Sequence, residues 1–172
     1  IILAELLTFG ILFVSYAFAR ARDVAAFNAA QATLDLHSGA LNTVLLITGS
    51  WCVARAVQAV RSDARQPGLR WLLAAMLCGA GFVGVKLAEY AAKLREGIDL
   101  TSNTFYTLYL MLTAFHFLHV VVALLALGYL AVRLRGGAYG PQDCHAMETG
   151  AAFWHMVDLL WIVLFPLVYV LR

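Results

Sequence analysis

Charged residues are scarce in this chain. Of its 172 residues, 12 are Lys or Arg and 10 are Asp or Glu, so charged residues make up 13% of the sequence, about half of the share in ordinary soluble domains. Hydrophobic residues make up 63%, which is more apolar surface than a soluble domain of this length can bury. The formal net charge of +2 is small for a protein that follows nucleic-acid phosphates. These shortages exclude a soluble enzyme, a disordered tail and a nucleic-acid-binding protein.

The chain also lacks the residue patterns of common catalytic sites. Its three cysteines, Cys52, Cys78 and Cys144, form no CxxC pair, so we interpret them as small apolar or loop residues. The sequence has no recognisable nucleophile with its base and orienting residue, no phosphate-binding loop and no paired interrupted helices of the transporter type. The residues by themselves therefore identify no catalytic set.

Long apolar stretches fill most of the chain instead. A membrane-spanning helix requires about 20 mainly apolar residues, and five stretches of the sequence meet this requirement. Short connections predict antiparallel neighbours. We therefore predict an all-α membrane protein with a single transmembrane domain over residues 1–172 and helices at about residues 1–19, 40–60, 69–96, 104–132 and 150–171.

Local signals predict how these helices begin and end. The Pro67–Gly68 pair is expected to form the turn between the second and third spans, and a polar run at residues 101–103 is expected to cap the fourth. Residues 20–39 could form a short interfacial helix, and Pro166 predicts a kink in the last span. Because the chain begins inside an apolar run, we expect it to start part-way into its first helix.

Ionisable side chains inside the spans are the most informative residues, because each costs about 2.5–3.5 kcal/mol or more at the centre of a bilayer. Glu5 lies about 21 Å from the end of the first predicted helix, and Asp158 lies about 12 Å inside the last one. His155 is one turn from Asp158. We hypothesise that Glu5, His155 and Asp158 form one buried polar layer joining the first and last helices, directly or through one water.

His116 and His119 lie three residues apart near the middle of the fourth predicted helix and so share one face. Such a pair can bind a metal or haem, or it can make interhelical hydrogen bonds. A closed metal site needs about four ligands, and the other candidate ligands are expected at a different depth. We therefore favour hydrogen bonding and expect no metal or cofactor to be bound covalently or by ligation.

Lys86 and Glu89 are one turn apart at the far end of the third predicted helix. A lysine near a helix end can extend its ammonium to the membrane surface. We interpret the two residues as an interfacial ion pair.

Several segments resemble haem-copper oxidase subunit III. Residues 115–120 read FHFLHV, like the FHxLHV segment of that family, and residues 154–161 read WHMVDLLW, like its WHxVDxxW segment. Residues 4–10, AELLTFG, are similar to its SExxxFxG segment, whose glutamate is the carbodiimide-reactive carboxylate of the oxidases and corresponds to Glu5. The segments at 41–43 and 89–90, and Glu148 seven residues before His155, follow in the same order. The resemblance covers nearly the whole chain.

The resemblance implies a five-transmembrane-helix bundle of the cytochrome c oxidase subunit III type, acting as a non-catalytic accessory subunit. The runs at residues 104–106, 111–116 and 161–167 look most like the NorE-type accessory protein of nitric oxide reductase. The expected role is support of assembly, stability or full activity of that reductase. The alternative is subunit III of a cytochrome c or quinol oxidase.

Partners and location follow from the same resemblance. The implied partners are the catalytic haem-copper subunit of nitric oxide reductase, its cytochrome c subunit and membrane lipids, including a structural phospholipid, in a bacterial cytoplasmic (inner) membrane that the chain crosses several times. A buried network for helix packing or proton transfer would comprise Glu5, His116, His119, Glu148, His155 and Asp158.

Overall fold

The computed structural model describes residues 2–98 and 102–171. The regular elements in these ranges are α1 (Ile2–Arg22), α2 (Val24–Gln31), α3 (Leu36–Arg61), α4 (Arg65–Arg95), α5 (Thr104–Arg135), α6 (His145–Phe165) and a π-helical segment (Pro166–Val170). Among these elements, α1, α3, α4, α5 and α6 with its π-helical extension are long and apolar enough to cross a membrane. The predicted all-α, multi-pass architecture is confirmed. Residues 1, 99–101 and 172, which the predicted domain also included, lie outside the described ranges.

The helices extend beyond the predicted apolar stretches at their polar ends. The α3 helix begins at Leu36 because the Asp35 carboxylate accepts a hydrogen bond from the backbone N–H of His37 and so caps an otherwise unpaired helix terminus. The Asn103 side chain caps α5 in the same way, accepting from the Tyr106 N–H at 2.8 Å. The capping polar residues therefore determine where these helices begin, and they lie outside the hydrophobic spans.

The predicted turn at Pro67–Gly68 is wrong. The chain reverses earlier, at residues 62–64, where Asp63 has a φ of 56°, and α4 already begins at Arg65. Pro67 lies in the first turn of α4, where a backbone N–H has no helical acceptor and its absence costs little. A Pro-Gly pair is therefore compatible with a helix start at this position.

The helix type changes at Pro166, where a kink was predicted. Proline has no N–H to continue the α-helical ladder, and the segment Pro166–Val170 is π-helical, with the Leu171 N–H donating to the Pro166 carbonyl at 2.9 Å. The α2 helix, which was expected between the first two spans, supports this segment. Its buried Gln31 side chain donates to the Val168 carbonyl oxygen at 2.8 Å.

The helices α3 and α4 form an antiparallel hairpin, and α5 and α6 pack against it. The α1 helix lies at the periphery against α5 and α6, and Phe9 and Tyr16 are its buried residues. Gly79 of α4 is one site of close helix approach, where an added Cβ would lie 2.7 Å from the side chains of Leu124 and Trp154. The bundle therefore consists of four closely packed helices with α1 along one side.

Removal of the Asp35 carboxylate by Asp35→Ala is expected to lower the free energy of unfolding by about 1 kcal/mol at neutral pH. The Ser38 hydroxyl and the backbone N–H groups of the α3 terminus hold the pKa of Asp35 below its ordinary value, so the ionised form is the one that stabilises the fold. This contribution is present above the ordinary Asp pKa and is lost as the pH falls through the lowered value. Unfolding of the detergent-solubilised wild type and variant at neutral and acidic pH measures this contribution. A stability difference between the two proteins that stays constant with pH would contradict the prediction.

Candidate functional site

Glu5 forms an interhelical pair with His119. The Glu5 Oε2 atom of α1 lies 3.0 Å from Nε2 of His119 in α5, and the Glu5 side chain is 28% exposed. His119 Nδ1 lies 2.8 Å from the carbonyl oxygen of Phe115, and because a carbonyl only accepts, Nδ1 must carry a proton. The contact between Glu5 and His119 then holds one further proton, which either side chain can carry. The pair is thus a proton-holding group that also ties α1 to α5.

His116 makes a different interhelical bond. Its Nε2 donates to the carbonyl oxygen of Val157 in α6 at 3.0 Å, and its ring is fully buried against Phe9, Phe82 and Trp161. His116 and His119 share one face of α5, but they bind separate partners on different helices. Within residues 2–98 and 102–171, no group of three or more His, Cys, Asp and Glu side chains is placed to hold a metal ion.

A second polar group joins α3 to α6. A hydrogen bond of 2.7 Å connects Ser50 Oγ of α3 with Nδ1 of His155 in α6. Asp158, one turn after His155 on α6, is buried, and its Oδ1 atom has no hydrogen-bond partner among the described residues. Ser50 was not among the predicted site residues, because it is 105 residues from His155 in sequence and only the fold brings the two together.

In the described residues, Glu5, His155 and Asp158 are not joined to one another by direct hydrogen bonds, and the form of the predicted layer that runs through one water stays a prediction. Glu5 bonds to His119, whereas His155 bonds to Ser50. The depth estimates placed the three residues at similar heights, but height along a helix does not determine which neighbour its side chain faces. The rotation of α6 about its axis places His155 beside α3 instead of α1.

Lys86 and Glu89 do form an ion pair, but it is buried inside the bundle and is not interfacial. Lys86 Nζ lies 3.1 Å from Glu89 Oε2, and the Lys86 side chain is 0% exposed. The ammonium also donates to the Tyr169 hydroxyl at 2.7 Å. That hydroxyl donates to Glu89 Oε1 at 2.6 Å, and the Tyr109 hydroxyl donates to the same oxygen. Two tyrosines therefore complete the hydrogen bonding of the buried charges, as a buried ion pair requires.

Aromatic rings surround this Lys86 ammonium. It lies 5.1–5.5 Å from the ring centroids of Tyr90, Tyr109, Trp161 and Tyr169, within the range of cation–π attraction. These rings come from α4, α5, α6 and the π-helical segment. The sequence does not predict that these rings meet around Lys86, because Tyr109 and Tyr169 are far from it in the chain.

Glu148 lies in the first turn of α6 and links this helix to the last residue of α3, Arg61. Its Oε1 accepts two hydrogen bonds from Arg61, at 2.6 and 3.1 Å, and one from the Cys144 thiol. The side chains of Arg61 and Glu148 are both partly exposed. Glu148 therefore belongs to a surface ion pair, separate from the polar groups within the spans.

Two apolar grooves open beside the α1–α5 contact. One has a volume of about 780 Å³ and runs between α1, α4 and α5, past Leu12, Tyr90 and Leu118. The other has a volume of about 610 Å³ and is lined by Glu5, His119 and Phe153 among others. The Glu5–His119 pair thus faces an apolar groove that can admit an acyl chain or another apolar molecule.

Comparison with known proteins connects this arrangement to one family. The family model described as cytochrome c oxidase subunit III matches residues 2–172. The cytochrome c oxidase subunit 3 of Thermostichus vulcanus is 33% identical to this chain over 174 residues, covering 99% of the chain and 83% of that protein. The heme-copper oxidase subunit I+III of Aeropyrum pernix is 30% identical, covering 98% of the chain and 21% of that protein.

A quinol oxidase subunit 3 from Bacillus subtilis is more distantly similar, with 27% identity over 129 residues, 75% of the chain and 63% of that protein. The matches to the first two proteins span almost the whole chain. The matched part of this chain therefore includes residues 5, 50, 119 and 155. On this evidence of full-length similarity and a five-span helical fold, the chain belongs to the cytochrome c oxidase subunit III family.

Proposed function

We propose that this chain is an accessory subunit of a respiratory haem-copper complex and takes no direct part in the redox reaction. The observation that carries the proposal is the match to the subunit III family over residues 2–172. In the described residues, the histidines inside the spans are engaged by Glu5, Val157 and Ser50. Such contacts suit a helix-packing role for these side chains, and the chain would support assembly, stability or sustained turnover.

The partner is the catalytic haem-copper subunit. Support comes from the relative in Aeropyrum pernix, whose name joins subunits I and III and whose sequence this chain matches over 21% of its length. Two proteins that are linked in one polypeptide in a relative are natural neighbours as separate chains. The location would be a bacterial cytoplasmic membrane.

We propose that the complex is an oxygen-reducing oxidase rather than a nitric oxide reductase. The similar proteins are named as subunits of cytochrome c oxidase and quinol oxidase, which favours the alternative of the sequence analysis over its NorE interpretation. Nitric oxide reductase stays a second candidate because of the runs at residues 104–106, 111–116 and 161–167. Its catalytic subunit and cytochrome c subunit would then be the partners.

Purification of the native complex in mild detergent distinguishes these functions. We expect the chain to copurify with a haem-copper subunit, and the complex to reduce oxygen faster or for longer with the chain than without it. A complex that reduces nitric oxide and not oxygen would support the second candidate. A Soret band that stays with the isolated 18.8 kDa chain would contradict an accessory role without a haem.

Lipid is the second expected partner. The grooves of about 780 and 610 Å³ are almost wholly apolar in lining, and an acyl chain is the ligand that such a surface accommodates in a membrane. We propose that a structural phospholipid occupies one of them. Delipidation followed by native mass spectrometry would detect it as a retained lipid mass.

A hydrophobic carbodiimide is expected to modify Glu5 in preference to the other carboxylates within the spans. Glu5 is 28% exposed and faces an apolar groove, whereas Glu89 and Asp158 are buried. The reagent partitions into the membrane and reacts with a protonated carboxyl group. Peptide mass spectrometry should locate the adduct on Glu5, and Glu5→Gln should insert normally and lose it. Modification of Glu89 or Asp158 before Glu5 would show that the exposure order is wrong.

A further inference from the structure

His155 is an exposed imidazole in the middle of a membrane span. It lies in α6, about 15 Å from the first residue of the helix and about 22 Å from the end of the π-helical segment. Its side chain is exposed, unlike His116, which is buried, and His119, which is half-buried. A polar side chain at this depth normally faces protein or water, because hydrocarbon cannot solvate it.

The inner edge of the imidazole is already fixed. Nδ1 is hydrogen-bonded to the buried Ser50 of α3. Asp158, one turn after His155 on α6, is also buried. Within residues 2–98 and 102–171, the Ser50 hydroxyl is the hydrogen-bond partner of His155. Nε2 is on the outer side of the ring and is the atom that remains for a partner outside this chain.

Several other ionisable groups within the spans have hydrogen-bond partners in the chain. The buried atoms that lack one in the described part of the chain, among them His116 Nδ1, Asp158 Oδ1 and the Asn42 amide, are closed off from any partner outside the chain. Glu5 and His119 bind each other, and His116 donates to Val157. Lys86 is enclosed by Glu89 and Tyr169. His155 therefore differs from them in combining an exposed side chain with a ring that Ser50 holds in place, which is the arrangement expected of a preorganised contact.

Apolar side chains surround His155 on the outside of the bundle. On α6, Leu159 and Ile162 follow it at positions i+4 and i+7 and are exposed. On α3, the exposed apolar residues Val44, Ile47 and Trp51 are spaced at intervals of three and four, and Ile47 is three residues before Ser50. Trp51 also packs against Trp71 of α4, with 5.0 Å between the ring centroids. We call the surface formed by these residues the α3–α6 face: Val44, Ile47, Trp51, His155, Leu159 and Ile162.

We propose that the α3–α6 face is the surface that meets a transmembrane helix of the catalytic haem-copper subunit, with a hydrogen-bonding group of that helix placed against His155 Nε2. The proposal rests on the proposed function, which supplies the partner. A central polar contact enclosed by apolar side chains that exclude solvent is the usual anatomy of an energetically important interface. An acyl chain has no donor or acceptor for Nε2, so lipid alone would leave the imidazole unpaired.

Site-specific photocrosslinking in the native membrane tests this assignment. A benzophenone amino acid would replace Leu159 or Trp51 on the α3–α6 face, and Leu125 or Tyr129 on the exposed side of α5 as matched controls. We expect the first two probes to give adducts with the catalytic subunit and the controls to give adducts mainly with lipid. Adducts of the first two probes with lipid or with a second copy of this chain would overturn the proposal.

Two variants of His155 test the hydrogen bond itself. Gln places a polar group near the position of Nε2, whereas Leu removes it, so His155→Gln should retain the complex better than His155→Leu. Loss of one interhelical hydrogen bond in a membrane weakens the association constant about threefold. Dissociation of the complex on dilution in detergent can resolve a change of this size. His155→Leu also removes the hydrogen bond between His155 Nδ1 and the buried Ser50 hydroxyl within the chain, so Ser50→Ala, which loses that bond but keeps Nε2, is the matched control. The two isolated variants should unfold at similarly lowered temperatures, and only His155→Leu should weaken the complex.

The outcomes separate the two proposals. A wild-type chain that copurifies with no haem-copper subunit contradicts the proposed function itself. A wild-type chain that copurifies, while His155→Leu dissociates at the wild-type rate and the α5 probes crosslink the catalytic subunit, contradicts only the assignment of the α3–α6 face.

Discussion

Substitution Glu89→Gln is expected to lower the free energy of unfolding by about 3–5 kcal/mol. The change preserves side-chain shape but removes the negative charge next to the Lys86 ammonium, which is 0% exposed and lies 3.1 Å from Glu89 Oε2. Tyr169 would still accept a hydrogen bond from the ammonium, but a neutral hydroxyl cannot replace a counter-ion. Unfolding of the purified chain in mixed micelles, followed by circular dichroism, measures the loss.

The companion variants give a definite order. Lys86→Met should cost less than Glu89→Gln, because the Glu89 carboxylate keeps the hydroxyl donors of Tyr109 and Tyr169. The double variant Lys86→Met/Glu89→Gln should cost less than Glu89→Gln alone, because no uncompensated charge remains buried. Costs that simply add in the double variant would show that the two charges are not coupled.

The same helix supplies a matched control. Lys93 and Glu96 repeat the i, i+3 spacing one heptad later in the chain, at 2.8 Å, but the Glu96 side chain is 54% exposed. The Lys93 side chain is only 9% exposed, but its ammonium also donates to the Thr33 carbonyl oxygen at 3.1 Å, and solvent screens the charge of Glu96. Glu96→Gln should therefore change stability by no more than about 1 kcal/mol, as for an exposed pair. Equal losses for Glu89→Gln and Glu96→Gln would contradict the burial argument.

Substitution Gly79→Leu is the second change with a large expected effect, a loss of about 3 kcal/mol or more. Even a Cβ at this position would lie 2.7 Å from Trp154 Cη2 and from Leu124 Cδ2. Leu124 can change its rotamer, but the indole of Trp154 is buried and rigid. Overpacking of this kind typically costs about 1–3 kcal/mol for a few added methylenes, and a whole leucine side chain exceeds that allowance.

Gly84 is the matched control for Gly79. It lies five residues later in α4, and a Cβ there would have no atom within 4 Å. Gly84→Leu should therefore leave the unfolding midpoint unchanged or raise it slightly, since leucine favours a helix over glycine. If both leucine variants lowered the midpoint equally, the close approach of α4, α5 and α6 at Gly79 would not be the cause.

Several features of the chain were predictable because they depend on residues close together in sequence. Span number follows from the length of apolar runs, and the Lys86–Glu89 pair follows from i, i+3 spacing. The Asn103 cap follows from the preference for polar residues before a helix and is present. The Pro67–Gly68 turn failed for a local reason as well, because the first turn of a helix tolerates proline.

Other features depended on contacts between distant segments and were not predictable. Glu5 was expected beside Asp158, but it binds His119, since the choice depends on how each helix is rotated about its axis. Lys86 was expected at the membrane surface, but Tyr109 from α5 and Tyr169 from the π-helical segment enclose it. No sequence pattern near residue 86 predicts a contact with either tyrosine.

Composition and residue spacing alone indicated that this chain crosses a membrane several times and carries few ionisable groups at depth, and short matching segments gave its resemblance to the subunit III family. These properties are local, because hydropathy and helical periodicity act over one or two turns. Helix packing determined which polar groups are satisfied within the chain and which are not. It buried Lys86 with its counter-ion and paired Glu5 with His119, and it left His155 exposed beside Ser50, because relative rotation and approach of helices are set by side chains far apart in sequence.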